Sequence, residues 1–189
     1  MKKLIDTLIS HISTYFSDML VTPLIACLAA VAVFTLLAYI KKDKRVFNAS
    51  TVFSVALLVF SCVSILQITL LSRIGTYVEH PLDRLWENRQ IITSWKYKYD
   101  LSCILNVLLF APFTFSICLL RGNLKGIDNK ISKVIIICTA LSFFVSLAIE
   151  VSQAVFHVGT FQIFDLIYNT IGGFIGAATY IIISKRKKR

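Results

Sequence analysis

The chain has 189 residues, 57% of them apolar, and a mean hydropathy of +0.76. Soluble domains run at roughly 45–50% apolar, and so short a chain has no water-soluble core large enough to hide the surplus, which excludes a soluble globular protein. The formal net charge of +10 does not mark a nucleic-acid binder, because the basic residues flank apolar runs, where membrane orientation and anionic lipid account for them.

In chain order, residues 1–18 come first. Leu4, Ile5, Leu8, Ile9, Ile12, Tyr15 and Phe16 recur at helical spacing, with Asp6, Ser10, Ser13 and Ser17 mostly on the opposite side. The pattern predicts an amphipathic helix lying in the membrane interface, a plain extension of the first span being the alternative. A hydrocarbon core about 30 Å thick takes about 20 apolar residues to cross as a helix. Five runs meet that length, at about 19–40, 51–71, 101–120, 134–156 and 165–184. In lipid every backbone polar group needs an internal partner, so the runs are predicted as helices. The expected fold is an all-α integral membrane protein, with the amphipathic segment followed by one domain of five transmembrane helices over 19–189. The first run starts too late and is too long for a cleaved signal peptide.

Thirteen of the twenty Lys and Arg residues lie in three groups: after the first span, between the third and fourth, and at the C-terminus. The positive-inside rule then predicts a cytoplasmic C-terminus and an external N-terminus, in a bacterial plasma membrane. The connection Ser72 to Asp100 falls outside, with Tyr77, Trp86, Trp95, Tyr97 and Tyr99 among charges. Such rings favour the headgroup layer, so this segment is predicted to drape on the outer leaflet, where it could also shape a site. Cys27, Cys62, Cys103, Cys118 and Cys138 each fall within a span, with no CxxC pair. They read as small buried hydrophobes in preference to disulfides or a zinc site. No metal or other cofactor is expected.

The informative residues are polar ones inside spans, since a charge at a helix centre costs roughly 2.5–3.5 kcal/mol on insertion scales. Ser146, Glu150, Gln153 and His157 follow one another at +4, +3 and +4, a single stripe on the fourth helix. Asp165 and Asn169 lie one turn apart at the outer end of the fifth, Asn106 near the outer end of the third, and Arg73 with Gln67 at the outer end of the second. The assigned topology brings Arg73, Asn106, Glu150, Gln153, Asp165 and Asn169 to a similar depth, predicting a polar pocket in the outer half of the bilayer. Gly172, Gly173 and Gly176 follow Asn169, and the GxxxG spacing predicts close packing, here expected against the fourth helix so that Glu150 meets Asn169. Pro112, midway along the third helix, frees one carbonyl for a side chain or water, or simply kinks the helix.

At these residues the chain resembles the VanZ-like family of bacterial membrane proteins. The resemblance rests on Asn106-Val-Leu-Leu-Phe-Ala-Pro112-Phe113, on Glu150-Val-Ser-Gln153, on Asp165-Leu-Ile-Tyr-Asn169-Thr-Ile-Gly172-Gly173 with Gly176, and on Arg73. The sequence departs from that pattern in having Thr114 where a Gly is usual, and Gly159 and Gln162 where an Arg and an acid are usual. The resemblance implies a cell-envelope protein, the founding member being associated with teicoplanin resistance, and no established reaction. Teicoplanin carries an acyl chain, so it reaches its target partly through the membrane surface.

Three readings follow for the polar residues. In the first they bind an amphiphilic envelope molecule or lipoglycopeptide at the outer leaflet, Glu150 and Asp165 meeting cationic or hydroxyl groups and Arg73 a phosphate or carboxylate. In the second Glu150 is the general base of an enzyme acting on an envelope lipid or sugar, with Asp165 and Asn169 orienting the substrate or a divalent cation. In the third they merely hold helices together, which is inefficient where intramembrane hydrogen bonds average about 0.6 kcal/mol.

Overall fold

A computed structural model describes residues 21–37, 39–40, 48–86, 102–125 and 131–186. The predicted interfacial segment 1–18 and residues 87–100 of the predicted outer connection lie outside the described residues. Among the described residues there are five α-helices and no strand: α1 (Val21–Leu37), α2 (Ala49–Thr69), α3 (Ser102–Lys125), α4 (Ile131–Val155) and α5 (Ile163–Arg186). Helices α2 to α5 are each long and apolar enough to cross a membrane, and α1 is a shorter apolar helix. The protein is a multi-pass membrane protein.

The helices begin and end up to five residues away from the apolar runs that predicted them. Asn48 starts α2 as its N-cap, its side chain accepting the Ser50 N–H at 3.1 Å, an interaction hydropathy does not register. The C-terminal end of α2 tightens into a 3₁₀ turn, Leu71–Arg73, which sets Arg73 beyond the last apolar turn.

Chain direction alternates from α2 to α5. Arg73, after α2, reaches Gln153 near the end of α4, and Asn106 near the start of α3 reaches Asp165 near the start of α5. At the opposite end Ser50, opening α2, bonds to Asn123, late in α3. Helix α5 is the central element, packed against both α3 and α4, while α2 packs on α3.

The buried face of α2 is not oily: it carries Thr51, Ser54, Ser61, Ser64, Ile65 and Thr69. Small residues let the helix approach α3 closely. Three of the hydroxyls return to their own backbone, Ser54 to Thr51 O at 2.8 Å, Ser61 to Leu57 O at 2.7 Å and Thr69 to Ile65 O at 2.6 Å, which satisfies those polar hydrogens within the helix. Apolar cores lie at two depths, one around Ile65, Phe110, Phe113 and Ile149, the other around Cys118, Val134, Cys138, Ala177 and Tyr180.

Gly172 and Gly176 pack on α3, not on α4 as the GxxxG spacing led us to expect. A Cβ at Gly172 would stand 2.6 Å from the Val107 carbonyl oxygen, and one at Gly176 would overlap the Ala111 carbonyl. Carbonyls four residues apart on α3 thus face glycines four residues apart on α5, a register in which Cα–H groups meet oxygens directly. Gly173 alone turns to α4, where the Ser142 side chain fills the space a Cβ would need.

Candidate functional site

The carboxylate of Glu150 is 2% exposed, and its position in the fold explains how so costly a group is held. Oε2 accepts the backbone N–H of Gln162 at 2.7 Å, immediately before α5 begins. The first N–H groups of any helix lack partners and carry the positive end of its dipole. Glu150 therefore acts as an N-cap supplied from a neighbouring helix. Asp165, in the first turn of α5, is a second acid at the same positive end. Among the described residues, Asp165 and Arg73 are the charged side chains that act on Glu150.

Gln153, one turn beyond Glu150 and 2% exposed, ties α4 to the end of α2. Its amide nitrogen donates to Thr69 O at 2.9 Å, and its oxygen accepts from Arg73 Nη1 at 3.2 Å. The guanidinium lies against Gly159, where a Cβ would stand 2.5 Å from Nη1 and 3.0 Å from the Gln153 oxygen. Arg73 thus brings a cation to the turn between α4 and α5. The Gln162 side chain turns back to Thr160 Oγ1 at 3.0 Å.

The other two polar pairs cross α5. Asn106 Nδ2 donates to Asp165 Oδ1 at 2.9 Å, joining α3 to α5, and Asn169 Nδ2 donates to Ser146 Oγ at 2.8 Å, joining α5 to α4. Glu150 does not meet Asn169, as the packing prediction had it; Ser146, one turn deeper on α4, takes that place. Asn169 is 3% exposed, and among the described residues its Oδ1 finds no hydrogen-bond partner, nor does the buried Ser142 hydroxyl. Below them the buried Thr114 donates to Gly173 O at 2.9 Å, a bond between α3 and α5.

His157 leaves the stripe its spacing assigned it. Helix α4 stops at Val155, with Val158 N–H on Gln153 O at 3.0 Å, His157 N–H on Ala154 O at 3.3 Å and His157 at φ 54°. This is a Schellman ending with histidine in the left-handed position that usually takes glycine. The ring swings out to stack on Tyr77, centroids 5.4 Å apart, and Nδ1 donates to Val78 O at 2.9 Å. Backbone bonds from Val78 N to His157 O, Phe161 N to Pro81 O and Ile163 N to Leu85 O then lay the segment after Arg73 along the α4–α5 turn.

The arrangement is layered. Glu150, Gln153, Gln162 and Asn169 are buried and bonded to neighbouring elements, while Arg73, Asn106 and Asp165 are half-buried. The half-buried layer offers a guanidinium, an amide and a carboxylate, suited to contacting polar groups. Among the described residues no group of three or more His, Cys, Asp and Glu could hold a metal ion. Sequence reasoning missed Gln162 and Gly159 as participants. The Gln162 contribution is a backbone N–H, which no side-chain pattern reveals, and that of Gly159 is the space it leaves.

No solved structure gives a significant match. A curated relative is Protein VanZ of Enterococcus faecium, 35% identical over 80 residues, an alignment covering 42% of this chain and 44% of that protein. The aligned region is thus less than half the length of that relative. A model of the VanZ/LLP1 family matches residues 24–184, a stretch that runs from α1 through α5 and holds every residue of the polar network. The chain belongs to the VanZ/LLP1 family.

Proposed function

We propose that this protein sits in the bacterial plasma membrane with its N-terminus outside and its C-terminus in the cytoplasm, and that its polar end meets an amphiphilic envelope molecule or lipoglycopeptide at the outer leaflet. By that action it contributes to teicoplanin-type resistance. The orientation rests on the basic groups that flank the opposite end of the bundle, at Arg121, Lys133 and Lys185.

One observation carries the reading. Four helix ends bring Arg73, Asn106, Asp165 and the Glu150–Gln153 pair to one end of the bundle, and the three half-buried groups among them differ in charge. A membrane protein that needed only helix adhesion gains little from such groups, at about 0.6 kcal/mol per bond. In this proposal Arg73 meets a phosphate or carboxylate of the ligand and Asp165 an ammonium or hydroxyl, with Asn106 holding the Asp165 carboxylate in place. Glu150, Gln153 and Asn169 form the layer behind. The enzymatic alternative asks Glu150 to act as a base while its Oε2 is engaged by the Gln162 amide, which favours binding over catalysis.

The test is to express wild type, Asp165→Asn, Arg73→Gln and Glu150→Gln at matched membrane levels and to measure teicoplanin and vancomycin susceptibility. Loss of teicoplanin protection in Asp165→Asn and Arg73→Gln, with the protein still folded, supports the proposal. Full protection by both folded variants overturns it. A chemically altered envelope lipid or sugar in cells expressing the wild type, seen by mass spectrometry, favours the enzyme.

A further inference from the structure

Away from the polar end, Cys118 on α3 and Cys138 on α4 face each other with their sulfurs 3.1 Å apart. They are 2% and 5% exposed, in the apolar cluster with Val134, Ala177 and Tyr180. The other cysteines with described side chains are placed differently: Cys27 points its thiol at Ala56 O, 3.4 Å away, and Cys62 packs beside the Ile65 cluster. A disulfide holds its sulfurs about 2.05 Å apart, so closing this pair asks for roughly 1 Å of movement.

We propose that Cys118 and Cys138 are a dithiol that oxidises to an intrachain disulfide, stapling α3 to α4 at the end of the bundle opposite the polar residues. The oxidant it requires is a small, uncharged peroxide. One thiol is oxidised by hydrogen peroxide to a sulfenic acid with release of one water, and the second sulfur then displaces the hydroxyl as a second water while the S–S bond forms. Two thiols lose two electrons and two protons, and one peroxide is reduced to two waters. Access is short, because Cys118 precedes Asn123 and Cys138 follows Lys133 by five residues each, or about 8 Å of helix at its 1.5 Å rise.

The consequence lies in the packing. Helices α3 and α4 touch each other much less than each touches α5, so the bond would add a direct link between the helices that carry Asn106 and Glu150. Seen as sequence, the five cysteines are scattered hydrophobes; the fold singles out two.

The experiment uses the full chain reconstituted in liposomes of phosphatidylglycerol and phosphatidylethanolamine, treated with hydrogen peroxide, then denatured and alkylated with N-ethylmaleimide. In intact-mass spectra the five alkylatable cysteines should fall to three, and the unalkylated protein should be about 2 Da lighter, a change reversed by dithiothreitol. Cys118→Ser should keep all its remaining thiols, and Cys138→Ala serves the same purpose if that variant accumulates poorly. The proposal is overturned if the wild type keeps five alkylatable thiols, if either variant loses thiols as the wild type does, or if the product is a sulfinic acid on one cysteine.

Discussion

The carboxylate of Glu150 and the backbone amide of Gln162, twelve residues apart and in different structural elements, are joined at 2.7 Å in a site almost closed to solvent. Replacing Glu150 by Ala removes the acceptor and leaves a buried N–H without a partner, which costs about 1–3 kcal/mol. Glu150→Gln keeps an oxygen at the same reach and should cost clearly less. Unfolding in mixed detergent micelles separates the two, and equal losses would show that the carbonyl-type acceptor is not what Glu150 supplies.

That relationship also marks where sequence reading stops. Spans appear because lipid imposes a length and a composition, and α2 to α5 each overlap a predicted run. The polar residues appear because charges and amides in apolar runs are expensive, and of the expected members Asn106 meets Asp165 and Arg73 meets Gln153. What was not legible depends on backbone groups and on space. The partner of Glu150 is an amide N–H, the partner of Gly176 is the Ala111 carbonyl, and His157 departs because a helix ends two residues earlier. Periodicity extends a stripe past a helix end it has no means of seeing.

Close approach of α5 to α3 makes a sharp contrast between two glycines. A Cβ at Gly176 overlaps the Ala111 backbone oxygen, whereas at Gly75 nothing lies within 4 Å and the only obstacle is φ at 92°. Gly176→Ala should therefore cost about 1–3 kcal/mol through overpacking, because backbone cannot rotate aside as a side chain can. Gly75→Ala meets only its own backbone strain, about 1–2 kcal/mol. Gly176→Val should lower the thermal midpoint well below that of Gly75→Val, and a matching pair of midpoints would refute the packing register.

Thr114 supplies a bond where a glycine would supply none. Its hydroxyl donates to Gly173 O at 2.9 Å from a fully buried position. Thr114→Val keeps the shape and loses the donor, for an expected loss of about 0.6 kcal/mol and no more than about 1.7 kcal/mol, the range of intramembrane hydrogen bonds. Thr114→Gly also removes packing against Gly173 and Gly176, so it should destabilise more. Chemical unfolding of the two variants side by side decides the order, and a neutral or stabilising Thr114→Gly would contradict it.

Arg73 and Gly159 compete for one volume, since a Cβ at Gly159 would stand 2.5 Å from the guanidinium nitrogen that donates to Gln153. The backbone at Gly159 accepts an L residue, its φ lying outside the left-handed range, so the effect of Gly159→Ala comes from crowding alone. In the wild type the methyl group pushes Arg73 off Gln153 and should cost about 1 kcal/mol, the net worth of an ordinary hydrogen bond. In an Arg73→Ala background the same methyl is left only with its tight approach to Gln153 and should cost clearly less. The double-mutant cycle over these two positions should therefore give a coupling of about 0.5–1.5 kcal/mol. Gly159→Arg gives the stronger form of the argument. It should be poorly tolerated beside Arg73 but recover stability, measured as the midpoint of thermal unfolding, when Arg73 is truncated, because the turn has room for one guanidinium. Independent, additive costs at the two positions would separate Arg73 from that turn and remove the cation from the proposed site.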